Sequence, residues 1–326
     1  MFERLRPGPP PGAGVIEPYL GYATPDALVA RGRVLVTLKG RVPRPGQTRL
    51  RNVAQVVARF FTREVGGVEV VAPGLGATAV SDDEGYFTLR VPRPAEAAGW
   101  VAVPAVLAGR AGTDVALPVA VTDARAAFGV ISDIDDTVMR TGAYSLALNL
   151  WTTFTGNSLT REVFEDAVAF LARLHDGRNP VFYVSSSPWN LHDFLQQVFA
   201  WAGLVRGPLF LRDIGVGRDR VLASTHGVHK GAAIDTILAA NPDLPFVLVG
   251  DTGQHDAEIY VAAAERHPGR VRRIVLRAAG RGDAGLAREL SARAAALRID
   301  VSVGPDFRAL SRLWDAPRPR PPDGAA

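Results

Sequence analysis

The sequence predicts an α/β protein, a doubly wound parallel sheet preceded by a small β-sandwich-like domain. Three observations carry this. Short apolar runs at 130–132, 180–184 and 244–249 each end in polar, chemistry-bearing residues, as buried parallel strands do at their carboxyl ends. Helix-like stretches at 161–174, 231–240 and 283–297 alternate with them, the pattern of strands wound with helices on both faces. Ahead of these, residues 17–122 hold short alternating runs separated by Pro and Gly clusters, which reads as a β-rich domain.

In chain order, alternation predicts strands at 33–39, 66–71 and 86–91. Val53, Val56, Val57, Phe60 and Phe61 recur at helical spacing and predict an amphipathic helix over 52–65. The run Ser-Asp-Asp-Glu-Gly-Tyr-Phe at 81–87 resembles the strand-turn of carboxypeptidase-regulatory-like sandwiches. Its acids suit Ca²⁺ or a tight turn, and the turn is the preferred reading. With no catalytic set of its own, this domain is read as a positioning or recognition unit. A strand-like segment at 207–213 follows the second motif. Strands at 270–277 and 298–303 and a short helix after Pro305 complete the second half. The strand ending at Asp133 is expected between those ending at Ser185 and Asp251. The resulting domains are a disordered start (1–16), the β-rich domain (17–122), the α/β domain (123–316) and a disordered Pro-rich tail (317–326).

Composition bounds the function. With 47% hydrophobic and 21% charged residues, wholesale disorder is excluded. The absence of cysteine excludes disulfides and thiol chemistry and fits a reducing cytoplasm. The start has charges and prolines where a signal peptide needs an apolar core, and no run reads as a membrane span. A net charge of +4 and a pI near 9.7 suit acidic membrane surfaces or nucleic acid. No basic stripe interleaved with aromatics is present, which disfavours nucleic acid.

The most informative run is Val-Ile-Ser-Asp-Ile-Asp-Asp-Thr at 130–137. A buried strand ending in Asp133 and Asp135 can aim both carboxylates into the crevice at a sheet's carboxyl edge. Two carboxylates and the Thr137 hydroxyl suit a hard cation such as Mg²⁺. The second apolar strand ends in Ser185, Ser186 and Ser187, and the third in Gly-Asp-Thr-Gly-Gln-His-Asp at 250–256. Asp251 and Asp256 are spaced to face one cation, although Asp256 also fits a helix cap. Of 37 Lys plus Arg, only Lys39 and Lys230 are lysine. Lys230 stands just before the helix-like 231–240, where a compact ammonium fits and a planar guanidinium does not.

Taken in order, these elements resemble the haloacid dehalogenase superfamily of phosphotransferases over about 128–277. The wording of the segments 132–138, 183–190 and 249–260 resembles the catalytic domain of the actin-patch class of phosphatidate phosphatases. The resemblance implies a haloacid dehalogenase-like fold and a Mg²⁺-dependent phosphatase acting on phosphatidate or a related lipid phosphate. It implies Asp133 as the nucleophile that becomes an aspartyl-phosphate and Asp135 as general acid and base. Ser185, preferred over Ser186, would bind phosphoryl oxygens, and Lys230 would steady nucleophile and phosphate. Asp251 and Asp256 would hold Mg²⁺ with Asp133 and the backbone carbonyl of Asp135, while Thr137 supports the motif.

No long insertion separates the motifs, and superfamily members without a large cap usually take large substrates. The apolar stretch 143–155, with Leu146, Leu150 and Phe154 at helical spacing beside Leu148 and Trp151, suits either a membrane interface or the protein's own core. The expectation is a cytoplasmic enzyme, peripheral at the membrane. Two alternatives stay open: a phosphatase for nucleic-acid ends, proteins or small metabolites, and a non-catalytic binding module. His226, His229 and His255 fall near the motifs but lack further ligands, and are read as surrounding or surface residues. Oligomeric state is not legible here.

Overall fold

The computed structural model describes residues 14–36, 65–140, 163–212, 226–253, 255–278 and 284–315. The apolar stretch at 143–155, Lys39 and all of the expected 52–65 helix except Val65 lie outside them.

Among the described residues seven strands form the amino-terminal unit: β1 (Val15–Ala23), β2 (Ala27–Leu35), β3 (Glu69–Ala72), β4 (Ala77–Val80), β5 (Tyr86–Pro92), β6 (Gly99–Leu107) and β7 (Val115–Val121). β1 opens at Val15, two residues ahead of the expected domain start. The order is β4-β3-β6-β7-β1-β2-β5, and edge strands β4 and β5 lie against each other. The sheet therefore curls round a core that includes Val34, Leu89, Val103 and Leu117, barrel-like where a two-layer sandwich was expected. Alternation in a strand reports which face is buried but not which partner it pairs with. Among the described residues of this unit the one parallel pairing, β1 with β7, joins residues about a hundred positions apart, for example Gly21 with Val119. The acidic run is a tight turn: Asp82 Oδ1 accepts hydrogen bonds from the backbone N–H groups of Glu84 (3.0 Å) and Tyr86 (2.8 Å). Gly85 closes it at φ 84°, where a Cβ would meet Val34 O at 2.4 Å.

The second unit has a six-stranded, all-parallel sheet: β8 (Gly129–Asp133), β9 (Val181–Pro188), β10 (Leu209–Arg212), β11 (Phe246–Asp251), β12 (Val271–Arg277) and β13 (Asp300–Gly304). Helices α1 (Glu165–His175), α2 (His192–Ala202), α3 (His226–Ala240), α4 (Asp256–Arg266), α5 (Ala284–Ala296) and α6 (Phe307–Asp315) alternate with them. Lys230 therefore lies inside α3 rather than ahead of it. The helix starts earlier than the apolar pattern at 231–240, and its first turns hold His226, His229 and Lys230.

Successive strand residues feed two different cores. Val130, Tyr183, Val247 and Val249 join α1, α2 and α6 through Phe170, Leu195 and Phe307. Ile131, Phe182, Val184 and Leu248 face α3, α4 and α5 through Ile237, Tyr260 and Leu290. Burial on both faces explains why these strands read as continuous apolar runs rather than alternating ones. Each fully buried large apolar side chain contributes about 1.5–3 kcal/mol relative to exposure. Among the described residues no helix is long and apolar enough to cross a membrane.

Candidate active site

The strand order is β10-β9-β8-β11-β12-β13. From β8 the chain first winds outward to β9 and β10, then returns to β11 on β8's other side. That reversal makes the gap between the carboxyl ends of β8 and β11 a topological switch point, where open α/β sheets bind ligands. Asp133 ends β8 and Asp251 ends β11, so the two carboxylates flank the gap. Ser185 enters from β9, on β8's opposite side. β9 continues through Pro188, so Ser185 stands within the strand and all three serines belong to it.

Three predicted carboxylates meet the Lys230 ammonium and the Ser185 hydroxyl. Lys230 Nζ lies 2.6 Å from both Asp133 Oδ1 and Asp256 Oδ1. Ser185 Oγ donates to Asp135 Oδ2 at 2.9 Å and accepts from the N–H of Ser187 at 2.9 Å. Ser186 Oγ, by contrast, has no hydrogen-bond partner among the described residues. Asp251 Oδ1 accepts a short bond from the N–H of Gly253. Thr137, in the loop after β8, is fully buried, and its hydroxyl has no hydrogen-bond partner among the described residues. That loop turns sharply: Asp136 takes a left-handed φ of 59°, and its N–H donates to Met139 O at 2.6 Å.

Asp256 is the first residue of α4, but its side chain does not cap the helix. Its Oδ2 accepts from the N–H of Asp251 at 3.3 Å while Oδ1 takes Lys230. Asp133, Asp251 and Asp256 thus bring one oxygen each within 4.8 Å of one another. The carboxylate of Asp135 stays outside this cluster and turns to Ser185. Three buried carboxylates against one ammonium leave an excess of negative charge. Asp133 Oδ2 is buried without a hydrogen-bond partner among the described residues. An all-oxygen donor set with a spare buried lone pair fits a hard divalent cation.

The electrostatics follow from burial. Desolvation, then repulsion from Asp256, pushes the Asp133 carboxyl well above the usual carboxylate range, against the pull of Lys230. The same two causes raise Asp251 to about 7. Burial also raises Asp256, offset in part by Lys230. Asp135 is raised by burial, although the bond from Ser185 pulls the other way. Desolvation alone would lower Lys230, but Asp133 and Asp256 overcome it and hold the ammonium well above its ordinary value.

Two supporting residues carried no role in the sequence reading. A Cβ on Gly250 would meet Asp256 Oδ2 at 2.6 Å and the Tyr260 ring at 2.8 Å, so only glycine lets Asp256 reach back to β11. Tyr260, fully buried below the cluster, donates to Val249 O at 2.9 Å. Its position four after Asp256, on the same helix face, was the available signal. Of the histidines, His255 is exposed beside Glu258 at 3.2 Å, and His229 is half-buried. The side chain of His226 lies outside the described residues.

The fold and cluster define a parallel α/β protein with a carboxylate–lysine site at its switch point. Residues 128–278 match the family described as phosphatidate phosphatase APP1, catalytic domain. This segment is similar to that catalytic domain. The chain is 31% identical over 150 residues to phosphatidate phosphatase APP1 of Saccharomyces cerevisiae, covering 46% of this chain and 25% of that protein. It is 26% identical over 154 residues to an uncharacterized protein of Schizosaccharomyces pombe, covering 47% and 25%. The chain thus spans about a quarter of the length of these curated relatives.

Proposed function

We propose that this protein is a Mg²⁺-dependent phosphatase of haloacid dehalogenase-like fold that hydrolyses phosphatidate or a related lipid phosphate through an aspartyl-phosphate on Asp133. The observation that supports it most is the placement of Asp133: at a strand's end, 2.6 Å from Lys230, among Asp251 and Asp256. The kinship of 128–278 with a phosphatidate phosphatase supports the substrate.

Asp133, Asp251, Asp256 and the carbonyl of Asp135 would hold Mg²⁺, which supplies charge neutralisation for the transferring phosphoryl group. A carboxylate oxygen of Asp133 attacks phosphorus, and the bond from phosphorus to the lipid oxygen breaks. Lys230 offsets the repulsion between anionic nucleophile and anionic phosphate. Asp135, whose carboxyl burial raises from its ordinary value, gives a proton to the leaving oxygen. It then accepts a proton from water as that water attacks the aspartyl-phosphate, regenerating Asp133 and releasing inorganic phosphate. Ser185 exchanges its bond to Asp135 for a phosphoryl oxygen. On this reading the enzyme works in the cytoplasm, peripherally at a membrane surface.

The test is phosphate release by purified protein, with Mg²⁺ and with EDTA. Phosphatidate in mixed micelles is compared with a 3′-phosphorylated oligonucleotide and p-nitrophenyl phosphate. Mg²⁺-dependent release that favours phosphatidate is the expected result. Release from the oligonucleotide or the small ester alone would discard the lipid, and silence on all three would discard the enzyme.

A further inference from the structure

The barrel-like unit lies outside the 128–278 match, yet it grips the segment that carries Ser185. Tyr19 of β1 is 2% exposed, and its ring stacks on His192 at 3.9 Å and on Trp189 at 5.7 Å between centroids. The N–H of Leu20 donates to His192 Nε2 at 3.4 Å. That bond assigns the buried imidazole as a neutral acceptor. Burial, with Arg31 nearby, holds its pKa well below the ordinary value.

Arg31 of β2 ties the same region from a second side. Its Nη2 donates to Leu20 O at 2.8 Å and to Leu209 O at 3.1 Å, joining β1 to β10. Its guanidinium lies 4.8 Å from the Phe210 ring centroid, 5.0 Å from Trp189 and 5.2 Å from Tyr22. A buried guanidinium that donates to main-chain carbonyls and stacks on rings is a rigid cross-link, not a surface charge. Trp189 and His192 follow directly on β9. Pro188 pairs with Arg212 at the end of β10, and the N–H of Ser187 bonds Ser185 Oγ. The extended end of β9 thus connects Ser185 to Trp189.

We infer that the barrel is a brace for the candidate site, with Tyr19 and Arg31 as positioning residues that hold the 185–192 segment so that Ser185 meets Asp135 and the phosphoryl group. Sites are precise when their side chains stand on rigid, packed elements, and misplacement by about 1 Å can cost on the order of a hundredfold. The kinetic half of this inference rests on the phosphatase reading; the exchange half does not.

The test uses the full chain and the variants Arg31→Met and Tyr19→Ala, each shown to be folded by circular dichroism. Backbone hydrogen exchange over 185–192 is expected to accelerate about tenfold or more, while β8 and β11 keep wild-type protection. KM for p-nitrophenyl phosphate is expected to rise about fivefold or more, with kcat changed less. Tyr19→Phe keeps the stacked ring and should match the wild type in both readouts. Leu117→Ala, in the barrel core, should lower the melting temperature and leave KM alone. Wild-type exchange over 185–192 in folded Arg31→Met and Tyr19→Ala would overturn the brace. So would an unchanged KM, or an equal rise of KM in Leu117→Ala. Accelerated exchange in a protein whose wild type releases no phosphate would sustain the brace and sink the phosphatase reading instead.

Discussion

Lys230 Nζ stands 2.6 Å from Asp133 Oδ1, an ion pair that runs from α3 to the end of β8 with both side chains buried. The same ammonium holds Asp256 Oδ1 at 2.6 Å, so one cation serves two carboxylates from different elements. Removing a partner from a buried pair leaves an uncompensated charge, at about 3–5 kcal/mol. Lys230→Met is therefore expected to lower the melting temperature clearly and to abolish turnover. Lys230→Arg keeps the charge, but a planar fork does not fit where a compact ammonium bridges two oxygens. Its kcat/KM should fall by about a hundredfold or more. A Lys230→Arg enzyme with wild-type kinetics would contradict the assigned geometry.

Asp135 donates its proton to the leaving oxygen in the proposed reaction, so its importance should depend on the leaving group. General acid catalysis is typically worth about 10²–10⁴-fold. Asp135→Asn should lose most of that on phosphatidate, whose alkoxide leaves poorly. In single-turnover measurements with p-nitrophenyl phosphate, the first step should lose far less. Equal losses on both substrates would count against Asp135 as the acid.

Gly250→Ala tests the packing that brings Asp256 to β11. Its Cβ would lie 2.6 Å from Asp256 Oδ2 and 2.8 Å from the Tyr260 ring, and neither buried group has room to retreat. Overpacking of this kind costs about 1–3 kcal/mol. A lower melting temperature and weaker Mg²⁺ dependence of phosphate release are expected together. An intact Mg²⁺ response would show that Asp256 is not a ligand.

The cluster also sets a pH dependence. Burial and Asp256 raise Asp251 to about 7 in the metal-free protein. A carboxyl whose folded pKa exceeds its unfolded value binds protons more tightly when folded. Its contribution is complete below about pH 4 and is lost as pH rises through about 7. Melting temperature in EDTA should therefore fall between about pH 5 and about pH 7.5. Mg²⁺ favours the ionised carboxylates, so it should raise the melting temperature more at the higher pH. Thermal scans at both pH values check this, and a melt indifferent to Mg²⁺ at the higher pH would contradict it.

The parts of this site written in local sequence were legible. Asp133, Ser185 and Asp251 stand at or near the carboxyl ends of apolar strands, and those strands pair as expected, β8 between β9 and β11. Lys230 was legible by its rarity, though not its place within α3. What escaped depends on partners far away in the chain. The barrel-like closure needs pairings such as Gly21 with Val119, and alternation does not encode which strands meet. The stacking of Tyr19 on His192 joins two units, and neither residue's neighbours announce it. Gly250 carried no role in the sequence because the reason for it, the approach of Asp256 and Tyr260, exists only once α4 has packed.

The most direct test of the central claim is to trap the phosphorylated enzyme. Protein is mixed with radiolabelled phosphatidate and Mg²⁺, quenched in acid during turnover, digested and sequenced by mass spectrometry. The proposed mechanism expects label and one phosphoryl group's added mass on Asp133, absent in EDTA and absent in Asp133→Asn. Phosphate release at the wild-type rate by Asp133→Asn, or label on any other residue, would contradict it.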